Sequence, residues 1–166
     1  MLAEPADLHC LGGFAVTMQY GLSRTTADID VLAAIPAGAL SQLQRLAGEG
    51  SDLHRRFRVY LQPVRIVTYP ENYEARLIRM WPDQPFGRLR LFALEAHDLA
   101  LTKLERNSDV DREDVLALAN AGFINGATLR ERYATELRPN LASGEPRLDL
   151  TIELWVEMCW PEGSEG

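Results

Sequence analysis

The first half of the chain alternates short apolar runs with glycine and proline breaks, a pattern typical of strands alternating with helices. Residues 8–11 form an apolar run that predicts a strand, and Gly12-Gly13 predicts a turn after it. Apolar residues at helical spacing in 14–20 predict a short helix, and residues 28–33 predict a second strand. Pro36 suits the first turn of a further helix, which regularly spaced leucines extend as far as Gly48.

A β pattern dominates the segment that follows. The stretch "GEGSD" at 48–52 predicts a loop, and Phe57, Val59 and Leu61 then alternate with polar residues. The stretch "VRIVTY" at 64–69 continues the pattern past a proline, so the region predicts one bent strand or two. After a turn rich in proline and glycine, "RLRLFAL" at 88–94 predicts another strand.

From about residue 96 the pattern becomes helical. Helices are predicted at 97–107, 111–122 and 127–137, and a loop is predicted at 139–146. In the last segment, 148–160, apolar residues alternate as in a strand, yet acidic residues recur every fourth position as in a helix. Both interpretations stay open, and we favour the helix. The chain is thus predicted to be α/β (α+β), with one domain at 1–94 and a helical one at 95–166.

Composition indicates an ordinary soluble protein of 166 residues, 46% hydrophobic and 25% charged, long enough to bury a sizeable core. The net charge of −7 repels a phosphate backbone, so any polyanion must meet a local basic site. Cys10 and Cys159 lie far apart without metal spacing, which predicts buried thiols in a reducing compartment. No apolar run approaches the ~18 residues that a membrane span requires, and no signal peptide is evident, so we expect a cytoplasmic protein that does not enter a membrane.

Two aspartates lie one residue apart in the strand predicted at 28–33. Residues two apart on a strand point to the same face, so Asp28 and Asp30 present their carboxylates side by side. Their mutual repulsion is unfavourable unless a cation lies between them, and Mg²⁺ usually takes one or two carboxylates together with substrate phosphates. A solvated pair at a strand edge is the alternative, and it is the commoner explanation of an arbitrary Asp-x-Asp.

The Gly12-Gly13 turn leads into a helix, whose unpaired N–H groups suit a phosphate. Together with "YGLSRTTADID" at 20–30, it resembles the signature of the DNA polymerase β-like nucleotidyltransferase superfamily. More narrowly, it resembles the minimal bacterial nucleotidyltransferases related to AbiE-type abortive-infection toxins. The resemblance implies a nucleotidyltransferase fold, in which a mixed sheet flanked by helices precedes a small helical region. It also implies that Gly12 and Gly13 bind the nucleotide and that Asp28 and Asp30 are catalytic metal ligands.

The same resemblance extends to "HDLALTKLERNSDVDREDVLAL" at 97–118. It implies that Lys103 is a catalytic lysine that reaches nucleotide phosphates, for which a point charge is suited, and that Asp114 belongs to the nucleotide site. The alternatives are a helix-surface lysine and a capping box, with Asp111 as the N-cap and Asp114 answering it. The register of the match is imperfect around Arg112, which we give little weight.

Arg24 and Thr26 fall on the family's positions just before the aspartate pair, and the resemblance assigns both to nucleotide binding. A guanidinium there can contact phosphate or bond a carboxylate. An exposed turn residue is the alternative for Arg24.

Active members of the superfamily add a third carboxylate from a neighbouring strand. The candidate strand offers Arg65 and Thr68 at the positions where an acid is expected. The third metal ligand is therefore Glu71, an acid from elsewhere such as Asp52, or missing. Without it, a general base for the attacking hydroxyl is unassigned.

The resemblance implies an enzyme that transfers a nucleoside monophosphate from an NTP to a hydroxyl of RNA, protein or a small molecule, with Mg²⁺ or Mn²⁺ as cofactor. Two alternatives stay open: a degenerate nucleotide-binding protein, and a toxin–antitoxin component that acts through a protein partner such as a cognate antitoxin. The remaining candidates have ordinary explanations. His9, His54 and His97 lack metal spacing, the arginines at 55, 56 and 58 suit a solvated face better than an RNA site, and the three tryptophans suit packing.

Overall fold

The computed structural model describes residues 4–23, 25–141 and 145–161. These residues form two compact units. The first unit contains the described residues up to Ile66 together with Arg76–Leu94, and the second contains Val67–Ala75 and the described residues from Glu95 onward. The division into domains at 1–94 and 95–166 stays a prediction.

A mixed five-stranded sheet forms the centre of the first unit, in the order β3-β2-β1-β5-β4. Strand β1 pairs antiparallel with β2 and parallel with β5, β2 pairs parallel with β3, and β4 pairs antiparallel with β5. The strands are β1 (Ala6–Cys10), β2 (Asp28–Ile35), β3 (Tyr60–Pro63), β4 (Ile78–Arg79) and β5 (Leu89–Ala93). The accompanying helices are α1 (Gly12–Met18), α2 (Gly38–Ala47) and α3 (Asp52–Phe57).

Strand β1 lies in the middle of this sheet, and its apolar side chains account for its position. Leu8 and Cys10 are almost wholly buried, as are Val31 of β2 and Ala93 of β5. A strand with neighbours on both sides satisfies its backbone N–H and C=O groups in two ladders, which makes this burial possible. The turn that leaves β1 is therefore held in place by the best-paired strand of the sheet.

Helices make up most of the second unit. They are α4 (Ala96–Leu101), α5 (Asp109–Asn120), α6 (Gly126–Arg132) and α7 (Pro146–Cys159). A π-helical turn (Tyr133–Leu137) and a 3₁₀ turn (Arg138–Asn140) follow α6, and a 3₁₀ turn (Tyr73–Arg76) begins in the segment that precedes β4. Large apolar side chains of different helices fill the core, among them Leu99, Leu118, Leu129, Ile152 and Trp155.

The ambiguous last segment is a helix, as we favoured. Its buried residues recur at helical spacing: Leu148, Thr151, Ile152, Trp155 and Val156. Leu150 and Leu154, which belong to the apparent alternation, are instead exposed. Burial on one stripe of a helix thus explains the acidic repeat, and the alternation was incidental.

Three local predictions were wrong. Residues 52–57 form α3 instead of a loop running into a strand, because the Ser51 hydroxyl caps the helix by accepting a hydrogen bond from the His54 N–H. Residues 64–69, all of them described, form no strand, and Ile66 is 91% exposed. The helix predicted at 97–107 ends at Leu101, so Lys103 lies in the turn that follows α4.

The predicted fold class is confirmed: the described residues have an α+β fold with a mixed five-stranded sheet, consistent with a nucleotidyltransferase-like domain. No helix in the described ranges is long and apolar enough to cross a membrane.

Candidate active site

Asp28 and Asp30 are the first and third residues of β2. The strand geometry directs both side chains to one face, and both residues are partly buried. In the parallel ladder with β3, Asp28 lies opposite Tyr60 and Asp30 lies opposite Gln62. The two carboxylates therefore share their face of the sheet with a phenol and an amide.

Gly12 lies directly against the Asp30 carboxylate. Its φ is 65°, in the left-handed region that favours glycine. A Cβ atom built at this position would lie 2.0 Å from Asp30 Oδ2, far inside van der Waals contact. The Leu11 N–H also donates a hydrogen bond to the backbone carbonyl of Asp30, at 3.0 Å. The two halves of the motif, separate in the sequence, thus meet at one place in the structure.

Thr26 orients the carboxylate of Asp28. Its hydroxyl donates a hydrogen bond to Asp28 Oδ1 at 2.6 Å. Gly13 is buried in the first turn of α1. Arg24 lies outside the described residues.

Tyr60 belongs to this site, although the sequence did not single it out. Partial burial raises the pKa of the Tyr60 phenol, and the carboxylates of Asp28, Glu49 and Asp30 raise it further, so the phenol stays protonated. The His54 ring packs against the Tyr60 ring, with 4.9 Å between their centroids. The alternation of apolar residues predicted a β region here, but only the parallel register with β2 reveals which residue faces the aspartates.

Cys10 lies at the end of β1, where the chain enters the glycine turn. Burial raises the pKa of its thiol to about 12, and the Asp30 carboxylate contributes to the shift. The thiol is therefore protonated and unreactive at neutral pH. The prediction of buried thiols is confirmed for Cys10, whereas Cys159 is only partly buried.

Two carboxylates on one face, with a glycine that leaves room beside one of them, form a donor set that fits a Mg²⁺ ion also bound to phosphate. Within the part of the chain that the structure describes, no group of three His, Cys, Asp or Glu residues could hold a metal ion. Asp52 binds Arg55 at 2.5 Å on the exposed side of α3. Glu71 lies in the second unit, at the turn before Tyr73–Arg76, and its role as a metal ligand stays a prediction.

Lys103 and Asp114 form a buried ion pair in the second unit. The Lys103 ammonium lies 2.8 Å from Asp114 Oδ2 and 3.6 Å from Asp111 Oδ1, and only 3% of the lysine side chain is exposed. Lys103 is thus not the surface lysine of the alternative interpretation. Its action on nucleotide phosphates stays a prediction, as does the nucleotide role of Asp114.

The capping box of α5 begins one turn earlier than predicted. Ser108, instead of Asp111, is the N-cap, and its hydroxyl accepts a hydrogen bond from the Asp111 N–H. Asp111 is the third residue of the helix and completes the capping box, since its carboxylate accepts a hydrogen bond from the Ser108 N–H at 3.0 Å. Burial alone would raise the pKa of Asp111, but hydrogen bonds from Arg106 and Ser108, with the charge of Lys103, lower it to about 2. Asp114 takes no part in the capping box and pairs with Lys103 instead.

Most of the remaining candidates have structural partners. His97 Nδ1 lies 2.8 Å from the Glu95 carboxylate, and His97 Nε2 accepts a hydrogen bond from the Asn125 N–H. The Trp155 indole donates to Asn107 Oδ1 at 2.9 Å. Arg112 bonds the backbone carbonyl of Asn107 and the side chain of Asp109.

A family model described as "Nucleotidyltransferase of unknown function (DUF6036)" matches residues 3–155. This match spans both units. No curated protein matches the chain. No solved structure matches it either. With Asp28 and Asp30 on one face beside Gly12, and with the family model extending over nearly the whole chain, the protein belongs to the DUF6036 family of nucleotidyltransferases.

Proposed function

We propose that the protein transfers a nucleoside monophosphate from an NTP to a hydroxyl acceptor on RNA, protein or a small molecule. The observation that carries the proposal is the packing of Gly12 against Asp30, on the face that Asp28 shares. A carboxylate pair with a glycine turn beside it supports binding of a triphosphate and its metal ion at one place. Membership of a nucleotidyltransferase family supports the same reaction class.

In this proposal Asp28 and Asp30 hold Mg²⁺ or Mn²⁺, with Glu71 as the candidate third ligand. The bound ion would neutralise charge on the triphosphate as the transition state forms. Thr26 keeps the Asp28 carboxylate in one orientation, and Gly12 gives the Asp30 carboxylate its room. Gly12, Gly13 and Arg24 are proposed to contact the triphosphate, and Lys103 and Asp114 to support it.

The reaction is a substitution at the α-phosphorus. The acceptor oxygen forms a bond to that phosphorus, the bond to the β-phosphate oxygen breaks, and pyrophosphate leaves. The acceptor proton must pass to a base or to solvent, and no residue is assigned as that base. Catalysis would therefore rest mainly on positioning and charge neutralisation.

Labelled-nucleotide transfer tests this proposal. Purified protein is incubated with each α-labelled NTP, Mg²⁺ or Mn²⁺, and total RNA or lysate. We expect label on an acceptor with the wild type, and loss of that label in Asp28→Asn and Asp30→Asn. Asp83→Asn, an exposed position in the turn before β5, removes the same charge and should keep the transfer. Transfer that persists in Asp28→Asn or Asp30→Asn would refute the assignment.

A second candidate is a nucleotide-binding protein without turnover, which is favoured because the described residues contain no group of three His, Cys, Asp or Glu residues that could hold a metal ion. Calorimetry separates the two functions. NTP binding that requires Mg²⁺ and is lost in Asp30→Asn, without label on any acceptor, would identify the binding protein.

A relationship to AbiE-type toxins, with a cognate antitoxin as partner, is a further proposal that rests on the sequence motif alone. Growth arrest on expression, abolished by Asp28→Asn and relieved by the product of a neighbouring gene, would support it. Normal growth at high expression of the active protein would argue against it.

A further inference from the structure

The second unit contains a cavity that shares only Glu71 with the proposed transfer reaction. Its volume is about 590 Å³, within the range of small-molecule sites. Two tyrosines, Tyr69 and Tyr73, and two glutamates, Glu71 and Glu74, contribute to its lining. Such a combination of aromatic rings and carboxylates is suited to an organic cation.

The two tyrosine rings are nearly perpendicular, at 73°, and their centroids lie 5.0 Å apart. Tyr73 is buried, whereas Tyr69 is 39% exposed and can contact a ligand from the solvent side. Burial raises the pKa of the Tyr73 phenol, and Glu74 and Tyr69 raise it further, so its ring carries no charge of its own. Neutral rings present their negative π faces, which attract a cation.

The two carboxylates supply the charge. Glu71 and Glu74 are both exposed, and among the described residues neither forms an ion pair. Glu74 accepts a hydrogen bond from the Tyr73 hydroxyl, at 3.4 Å. The guanidinium of Arg138 is directed elsewhere, since it bonds both oxygens of Asp149. The negative charge of the lining is thus available to a ligand.

Hydrogen bonds connect the segments that form the walls of the cavity, which gives the cavity a defined shape. Glu136 accepts hydrogen bonds from the N–H groups of Glu71 and Asn72, the first at its backbone carbonyl and the second at its carboxylate. The same carbonyl accepts from the Asn140 side chain, at 2.9 Å. The partly exposed Val67 side chain adds an apolar surface on which a hydrocarbon stem can pack.

We propose that this cavity binds a small organic ammonium compound, whose cationic head meets Glu71, Glu74 and the Tyr69 ring and whose apolar stem lies against Val67. The proposal does not rest on nucleotidyl transfer, since of the lining residues only Glu71 is also a candidate in that reaction, as the third metal ligand. It differs from the candidate metal role of Glu71 in requiring the Tyr69 ring and the apolar surface.

Calorimetry with the full chain and three probes tests this proposal. Benzylammonium is the cation, benzyl alcohol is its neutral analogue, and Mg²⁺ alone represents a metal. We expect benzylammonium to bind at least roughly tenfold more tightly than benzyl alcohol, and Mg²⁺ not to displace it.

Variants of the lining separate charge from ring contact. Glu71→Gln with Glu74→Gln, and Tyr69→Leu separately, should each weaken benzylammonium binding by roughly three- to thirtyfold. Glu113→Gln, at an exposed position of α5, removes one negative charge elsewhere and should leave binding unchanged. Circular dichroism confirms that each variant is folded, which the exposure of these side chains leads us to expect.

Several results would overturn the proposal. Equal affinity for benzyl alcohol would identify a merely hydrophobic cavity, and displacement by Mg²⁺ would favour a metal site at Glu71. Absence of benzylammonium binding to the folded wild type, or an unchanged affinity in Tyr69→Leu, would also contradict it.

Discussion

Replacing Gly12 with alanine tests the packing on which the candidate active site depends. Gly21 offers a matched control in the same unit, since the two glycines have almost equal φ angles, 65° and 67°. An alanine at either position must adopt the left-handed conformation, at a cost of about 1–2 kcal/mol. A Cβ atom at Gly21 meets no described heavy atom within 4 Å, whereas one at Gly12 lies 2.0 Å from Asp30 Oδ2. Comparison of the two variants therefore isolates the contact with Asp30.

The destabilisation caused by this contact can be estimated from the distance. Ordinary carbon contacts begin at about 3.5 Å, so the Asp30 carboxylate or the turn must move by roughly 1.5 Å in Gly12→Ala. Forced overpacking of this kind costs about 1–3 kcal/mol. The free energy of unfolding should thus fall by about 1–3 kcal/mol more in Gly12→Ala than in Gly21→Ala. A displacement of about 1 Å in a catalytic group can cost about a hundredfold in rate, so nucleotide transfer should fall far more in Gly12→Ala.

Urea unfolding and labelled-nucleotide transfer measure the two effects. Unfolding midpoints give the stability difference without any assumption about function. Equal losses of stability in the two variants would refute the packing of Gly12 against Asp30. Equal transfer activities, with the stability difference present, would instead refute the involvement of Asp30 in catalysis.

Three further predictions concern the second unit. The pKa of Glu95 is about 2, since hydrogen bonds from His97 and Arg132 outweigh the upward effect of burial, and that of Asp111 is also about 2. Both pKa values are depressed, so these groups stabilise the fold above their ordinary pKa values of 4.5 and 3.8, and that contribution is lost as the pH falls toward about 2. The free energy of unfolding, measured at a series of acid pH values, should therefore decrease with falling pH. Glu95→Gln should make that decrease smaller. Asp114→Asn should lower the free energy of unfolding by about 3 kcal/mol, because it leaves the buried Lys103 ammonium with Asp111 alone. Glu113→Gln, at an exposed position, should change it by less than about 0.5 kcal/mol. Similar unfolding midpoints in the two variants would contradict the buried pair. Trp155→Phe removes the indole donor to Asn107 Oδ1, and a double-mutant cycle with Asn107→Gly should give a coupling of about 1 kcal/mol; a coupling near zero would show that this hydrogen bond contributes nothing.

The elements around the glycine turn could be predicted because their signals are local. An apolar run, two glycines and a short helical spacing specify β1 and α1 without reference to the rest of the chain. The Asp-x-Asp spacing likewise fixes a common face for Asp28 and Asp30 once the segment is a strand. The proximity of Gly12 to Asp30 was implied by the family resemblance, whereas the clash of a Cβ atom with Asp30 Oδ2 required coordinates.

The failures at 52–57 and 64–69 have different causes. Alternation of apolar residues predicts a strand only where a neighbouring strand and a covering layer exist to bury one face. Pairing with β2 continues only as far as Val64, whose N–H donates a hydrogen bond to the Val31 carbonyl, and the side chain of Ile66 is almost fully exposed. The α3 helix did have a local signal, since Ser51 is followed by Asp52 in the first turn and by basic residues in the last. The loop-like composition of "GEGSD" concealed it.

The environment of Lys103 could not be predicted because two capping registers fit the same sequence. Ser108 with Asp111 and Asp111 with Asp114 have identical spacing, and each can form a capping box. The first register leaves the Asp114 side chain available to Lys103, and the second would have used it to cap the helix. The choice depends on how the turn after α4 folds, where Lys103, Arg106 and Asp111 are brought together.

This arrangement constrains how Lys103 can act in the proposed reaction. The cluster contains two cations, Lys103 and Arg106, and two carboxylates, Asp111 and Asp114, so its charges balance. Moving the ammonium toward a phosphate would break its 2.8 Å contact with Asp114 Oδ2 and separate two buried charges. Such separation of a buried pair costs several kcal/mol, which the bound triphosphate would have to offset. A direct role in which the Lys103 ammonium leaves Asp114 therefore carries this cost.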